Sequence, residues 1–468
     1  MSLSIDTPIT ASAAHDAARE AQERAVYRKI AWRILPLLVF CYILNYLDRI
    51  NIGIAQLQFK TDLGFSDAAY GLGAGLLFVG YVLFEIPSNL MLDRVGVRKT
   101  FLRIMVAWGL LSTMTMFVRT PTQFYLVRFL IGVAEAGFTP GIFLYLSYWF
   151  PARRRARITS IFYLSIPIAA IVGAPLSGWI MHAFAGDLGL RGWQWLFLLE
   201  GAPSAIFGVV VFFVLSDRPQ HARWLTPGEK AFVLAQIDLD DANKPRHSRP
   251  HGLAGRATRG ALRTVLADPR VLCAGFTFAC SFSLGNTLAF WAPSVIRDSG
   301  VAHVGNVGLL AAMPALFGVI VMIVAGRHSD RTLERRWHAA LALISAAAAL
   351  ALLPFFRHDT ATALALLAVA SAGHYTCLAV FWSIPPTYLP RETAAAGIAL
   401  VNVIGSLGGA LSTAALGWMS KGAEGFGIGL VLLGAVIACG AVTLLVAFPA
   451  RTLRAGAALP LSSSPRER

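Results

Sequence analysis

IAWRILPLLVFCYILNYLDRINIGI, residues 30–54, decides the class of this chain. The run is long enough to cross a hydrocarbon core, which takes about 20 helical residues, yet it carries Asp48 and Arg49. Further apolar runs lie near 69–92, 100–118, 124–149, 157–182 and 193–215. A second set lies near 271–296, 305–326, 338–356, 362–388, 393–419 and 425–448, and each reads as a spanning helix. Of the 468 residues, 56% are hydrophobic and 14% charged, where a soluble domain carries about 25% charge. That excludes an ordinary soluble enzyme, a disordered chain, a collagen and a disulfide scaffold. The expectation is an all-α membrane protein with twelve transmembrane helices.

An even number of spans puts both termini on one side. Of the 40 basic residues, 32 lie in the tails and loops of that side. Six lie opposite: Lys60, Arg119, Arg191, Arg297, Arg357 and Lys421. The positive-inside rule therefore makes both termini cytoplasmic. The net charge of +15 is spread over membrane-flanking clusters, including Arg153-Arg154-Arg155-Arg157, which reads as topological and lipid-facing. No nucleic-acid partner is expected. The first 29 residues lack the apolar core of a cleavable signal peptide. Cys41, Cys273, Cys280, Cys377 and Cys439 sit inside apolar runs without metal-ligand spacing, so no metal is expected.

The segment 216–270 is the one long polar connection, and it divides the chain. The expected order is a tail over 1–29, a six-helix bundle over 30–215 and the loop over 216–270. A second bundle over 271–448 and a tail over 449–468 complete it. Asp93-Arg94 after the second span and Ser329-Asp330-Arg331 after the eighth occupy matching places. Two pseudo-symmetric six-helix halves around a central site are a transporter arrangement.

The loop LMLDRVGVRKTF (90–101) resembles the signature of the major facilitator superfamily. More narrowly, NYLDRINIGIA (45–55), FEIPSNLMLDRVG (84–96) and RFLIGVAEAGFTPG (128–141) resemble the anion:cation symporter family. GAPLSGWI (173–180), WQWLFLLEGAPSAIFG (193–208), DRPQHARWLTPGEK (217–230) and AGIALVNVIGSLGG (396–409) extend the likeness over nearly the whole chain. That family includes phthalate, tartrate and hexonate permeases. The second-half loop GRHSDRTLERR departs from the pattern, lacking the glycine after Asp-Arg.

Charged groups at membrane depth cost about 2.5–3.5 kcal/mol each on insertion scales, so those present need a reason. Tyr42, Tyr46 and Arg49 share one helix face, with Asp48 turned by about 100°. A planar guanidinium suits a carboxylate, while snorkelling into headgroups is the other reading. The resemblance favours Arg49 as an anion-binding residue. Arg128 and Glu135 are seven apart and face one direction. Arg128 suits anion binding or snorkelling, and Glu135 a coupling proton or a static brace. Asp48 is the second proton candidate, supported by the resemblance. Tyr81 offers a cavity hydroxyl beside Glu85, which reads as a structural contact. Asn402 is the second-half substrate candidate, on the resemblance. His374 reads as an interhelical hydrogen bond. The resemblance makes Asp93, Arg94, Gly96 and Arg98 a gating latch.

No catalytic motif or nucleotide-binding loop appears, so the chain is not an enzyme. The expectation is a secondary active transporter importing a small organic carboxylate by proton symport. A hydroxy-diacid such as tartrate or a sugar acid suits the tyrosine hydroxyls. The alternatives are an aromatic acid such as phthalate or hydroxyphenylacetate, with Phe381 and Trp382 as ring contacts, or an antiporter or exporter of the same fold. No cofactor is implied beyond the coupling ion, H+ with Na+ as its rival. A monomer in a bacterial inner membrane is expected.

Overall fold

The computed structural model describes residues 9–242, 265–332, 334–389, 393–421 and 424–449. Among these there are twelve helices long and apolar enough to cross a membrane. Spans 1 to 6 are Glu20–Leu63, Asp67–Asn89, Val97–Phe117, Pro121–Trp149, Arg153–Ala183 and Gly192–Val214. Spans 7 to 12 are Pro269–Asp298, Val304–Thr332, Arg336–Phe356, Thr360–Phe381, Ala396–Met419 and Gly425–Ala447. No strand occurs among the described residues.

The internal repeat is visible in the packing. Span 3 packs on 6, 1 on 5 and 2 on 4, and in register 9 packs on 12, 7 on 11 and 8 on 10. Adding six to each span of the first bundle thus reproduces the second. Between halves, span 2 packs on 11 and span 5 on 8, a reciprocal pair under the same exchange. Small residues permit these crossings. A Cβ on Gly75 would lie 2.7 Å from the Ala410 carbonyl oxygen, and one on Gly308 2.4 Å from that of Ala174.

Several expected boundaries move. The helix that becomes span 1 starts at Ile9, so the tail expected over 1–29 is helical from there. Its described side chains dock on the bundle: Glu23 accepts from Arg154 Nη2 at 2.9 Å and also pairs with Arg153. Those two arginines therefore meet a carboxylate, which corrects their reading as lipid-facing. The connection expected over 216–270 holds a helix, Pro227–Ala242, tied to span 1 by Lys29 and Glu229 at 2.8 Å. Trp224 stacks on Trp149, with ring centroids 5.5 Å apart. Span 10 ends at Phe381 instead of 388, because Pro385 and Pro386 cannot continue its hydrogen-bond ladder.

On the side away from the termini the halves interlock. Gln56 Nε2 and the Tyr70 hydroxyl both donate to the Phe290 carbonyl, the latter at 3.1 Å. Arg297 Nη1 donates to the Leu57 carbonyl at 2.8 Å, and Gly53 lies directly against Ala289. The structure is closed on that far side.

Replacing Gln56 by Leu and Tyr70 by Phe together removes both donors to Phe290, each worth about 0.5–1.5 kcal/mol. Cysteine labelling at Ala289 from the far side should then rise about tenfold or more. On the terminal side, the Lys29 hydrogen bond and the Thr226 backbone hold the Glu229 carboxyl below its ordinary range. A depressed acid stabilises fully above its unfolded pKa and loses that contribution as pH falls through the folded value. Amide exchange over residues 227–242 should accelerate in that acid window, and Lys29→Ala should accelerate it at neutral pH.

Candidate functional site

The ionised groups of the first bundle are brought together by a break in span 4. Its helix runs Pro121–Glu135, stops, and restarts as Phe138–Trp149. Gly137 takes φ +86°, a left-handed value that L side chains disfavour, and a Cβ there would stand 2.5 Å from Ser88 Oγ. The continuous helix expected over 124–149 is corrected accordingly. Pro140 falls in the first turn of the second piece, where its missing N–H costs nothing. Gly132 permits a close crossing, since a Cβ there would meet the Leu77 carbonyl oxygen at 1.9 Å. Span 4 is thereby pressed on span 2, with Glu135 at the very end of its first piece.

Glu135 is wholly buried, and its Oε2 accepts from Arg49 Nη2 at 2.6 Å. The guanidinium, only 15% exposed, lies over the rings of Tyr81 and Phe78, 5.5 Å and 5.8 Å from their centroids. Phe78 meets Phe282 of span 7 edge-on at 5.6 Å. The pair therefore sits at the seam between halves and not at the lipid headgroups. Arg128 is 1% exposed, and its Nε and Nη2 have no hydrogen-bond partner. Snorkelling is thus excluded for it. A buried guanidinium with unused donors is costly unless an anion completes it.

Asp48 is placed elsewhere. Its Oδ1 accepts from Ser112 Oγ at 2.6 Å, and its Oδ2 from Ser204 Oγ at 2.6 Å and Trp108 Nε1 at 3.0 Å. It is caged between spans 1, 3 and 6 and makes no hydrogen bond or ion pair with Arg49 among the contacts of the described residues.

A cavity of about 80 Å³, partly open to solvent, lies between the halves. Tyr46, Asn51 and Ser177 face it from one bundle, His374 and Ser371 from the other. Arg49 stands one turn behind Tyr46. His374 Nδ1 makes the expected interhelical contact, 2.9 Å from the Ser281 carbonyl oxygen. Asn402 is half-buried on span 11 and outside the cavity lining, and no hydrogen bond joins it to the Arg49 cluster. Phe381 and Trp382 pack on Phe278, with centroids at 5.3 and 4.7 Å, and so belong to the second bundle's core.

Of the expected latch, the Asp93 side chain lies outside the described residues, and Arg94 is exposed. Gly96 turns the chain with φ +91°. Arg98 donates from its backbone N–H to Asp217 Oδ1 at 2.9 Å and from Nε to the Phe212 carbonyl at 2.8 Å. The loop is thus anchored within its own half. Reading from sequence missed Glu200, a buried carboxyl on span 6 that accepts from Ser177 Oγ at 2.7 Å. Its lone charge inside WQWLFLLEGAP carried the same signal as Glu135.

Gly137→Ala should cost at least about 1–2 kcal/mol from the left-handed backbone alone, besides its clash with Ser88. A lower melting temperature of the purified protein, accompanied by weakened transport, is the expected readout.

A family model described as Major Facilitator Superfamily matches residues 38–413. A provisionally named metabolite transport protein of Pseudomonas putida is 44% identical over 84% of this chain and 88% of its own length. A provisionally named tartrate transporter of Agrobacterium vitis is 42% identical over 91% of each chain. A quinolone resistance transporter of Acinetobacter baumannii is 36% identical over 90% of this chain and 94% of its own. Among solved structures, a bacterial homologue of the human lysosomal transporter Spinster superposes with TM-score 0.73 at 18% identity, covering 94% of this chain and 99% of that one. With twelve helices in two repeated halves, buried charges at their seam and these relatives, the chain belongs to the Major Facilitator Superfamily, as a non-enzymatic transporter of the anion:cation symporter type.

Proposed function

We propose that the chain imports a small organic carboxylate, a hydroxy-diacid such as tartrate or a sugar acid, by proton symport. Its setting is a bacterial inner membrane with both termini in the cytoplasm, and it works as a monomer. The observation that carries this reading is the Arg49–Glu135 pair at the seam, with Arg128 buried and incompletely bonded beside it. At the pair itself two guanidiniums stand against one carboxylate, and Arg128 keeps donors that no protein group takes up. An anionic ligand would take up those donors, whereas a cation has nothing to offer them.

The chemistry is an exchange of partners. While Glu135 is ionised it occupies Arg49. A proton on Glu135 cancels its charge and frees the planar guanidinium to grip the ligand's carboxylate. Tyr46 and Tyr81 offer hydroxyls to a polyol backbone, and this favours hydroxy acids over rings. The packing of Phe381 and Trp382 on Phe278 points the same way. Importing a monoanion against an inside-negative potential costs about 2.3 kcal/mol per 100 mV, and one co-transported proton cancels that charge.

Vesicle assays test the exchange. Glu135→Gln should abolish gradient-driven tartrate uptake while retaining tartrate exchange across the membrane, and loss of both would make Glu135 a brace. Arg49→Lys should raise the apparent KM about tenfold or more, since a point charge replaces a bidentate fork. A second reading, an exporter, draws on the drug-resistance relative. Uptake that collapses when the vesicle exterior is made acidic would support it over import.

A further inference from the structure

We propose that Glu200 is a second proton-binding carboxyl, exchanging its proton with the central cavity through Asn51 and Ser177. Glu200 lies on span 6, 4% exposed, and its Oε1 accepts from Ser177 Oγ at 2.7 Å. Its Oε2 has no partner. The amide of Asn51, 1% exposed, lies next to it short of a well-formed hydrogen bond, and both amide atoms are equally unpartnered. Asn51 can serve both states of the acid: a protonated Oε2 would donate its O–H to Asn51 Oδ1, and an ionised one would accept from Asn51 Nδ2.

The surroundings select a proton over a cation. Span 1 faces Glu200 with Asp48 and Asn51, and span 5 with Ser177. Span 3, packed on the adjacent Gly201, offers Gly109 and Thr113 and no titratable group. Among the described residues no basic side chain pairs with Glu200, so its ionised form would be an uncompensated charge beside a second carboxylate. Asp48 already accepts three hydrogen bonds, and its oxygens are taken up by donors instead of being free to ligate sodium. Asn51 and Ser177 both line the central cavity. Glu200 is thus one side chain behind the wall, within reach of a water in the cavity once that wall shifts.

The role of this group in transport rests on the symport reading above. With Glu135 it would supply a second proton per cycle, the number that neutralises a dicarboxylate. Losing one coupled proton should lower accumulation about tenfold per unit of pH gradient.

Infrared difference spectra of the purified full-length protein, recorded through a pH titration, test proton binding without any ligand. The wild type should show a titrating protonated-carboxyl band that Glu200→Gln lacks and that Asp48→Asn and Glu135→Gln retain. Should Glu200→Gln not fold, Asn51→Ala should shift the same band. A spectrum in which Glu200→Gln removes no band, or in which its band never titrates, overturns the proposal. Tartrate-driven proton uptake in proteoliposomes then separates the two readings. Absent proton movement with an intact Glu200 band defeats the symport alone, whereas unchanged stoichiometry in Glu200→Gln shows that Glu200 takes no part in it.

Discussion

The whole design depends on holding a guanidinium inside the bilayer. An arginine at membrane depth is tolerated only if something compensates its charge, and here the compensation is Glu135 at 2.6 Å. Such a pair is held without much net gain, since desolvation consumes most of the Coulombic attraction. That near balance is what makes the interaction useful. In the proposed exchange a single proton, or a competing carboxylate, changes Arg49's partner, which a strongly stabilising bridge would resist.

Just past that carboxylate the backbone leaves the helix. A continuous span 4 would run from Pro121 to Trp149 without interruption. The left-handed Gly137 ends the first piece instead, and the contact of Gly132 with Leu77 brings the two spans together. The freed backbone groups are sheltered within the bundle, the condition under which irregular backbone survives at membrane depth. Local strain and binding chemistry are therefore one feature.

Much of this was legible in the chain itself. Hydropathy gives the spans because an apolar helix has nowhere else to go, and charge depth singles out Arg49, Arg128 and Glu135. Partnership was less legible. Asp48 and Arg49 are adjacent in sequence yet bond to different partners about 100° apart around span 1, and Ser112, Ser204 and Trp108 come from spans that no local spacing relates to Asp48. The Gly137 break was hidden because Pro140 was the more conspicuous helix breaker. Glu200 went unweighed although its apolar surroundings marked it as clearly as Glu135. The docked helix at 227–242 escaped notice because a polar loop of that composition carries no periodicity strong enough to announce a partner.

The two bundles repeat each other in packing but not in chemistry. Spans 7 to 12 keep the contacts of spans 1 to 6 while lacking their buried carboxylates and arginines, so the second half acts as a wall against which the charged half closes. What holds that wall on the far side is modest: hydrogen bonds from Gln56, Tyr70 and Arg297 to main-chain carbonyls, together worth about 2–5 kcal/mol. Energies of that size separate states that interconvert, not a fold from its unfolded form. Backbone carbonyls accept all three bonds, and of the three donors Arg297 alone belongs to the second half. The Gly75 and Gly308 crossings stay as pivots, since small residues let backbones roll without unpacking larger side chains. In the proposed cycle, charge exchange in one half and the weakly latched seam between the halves would be coupled through span 1, which carries both Arg49 and Gln56.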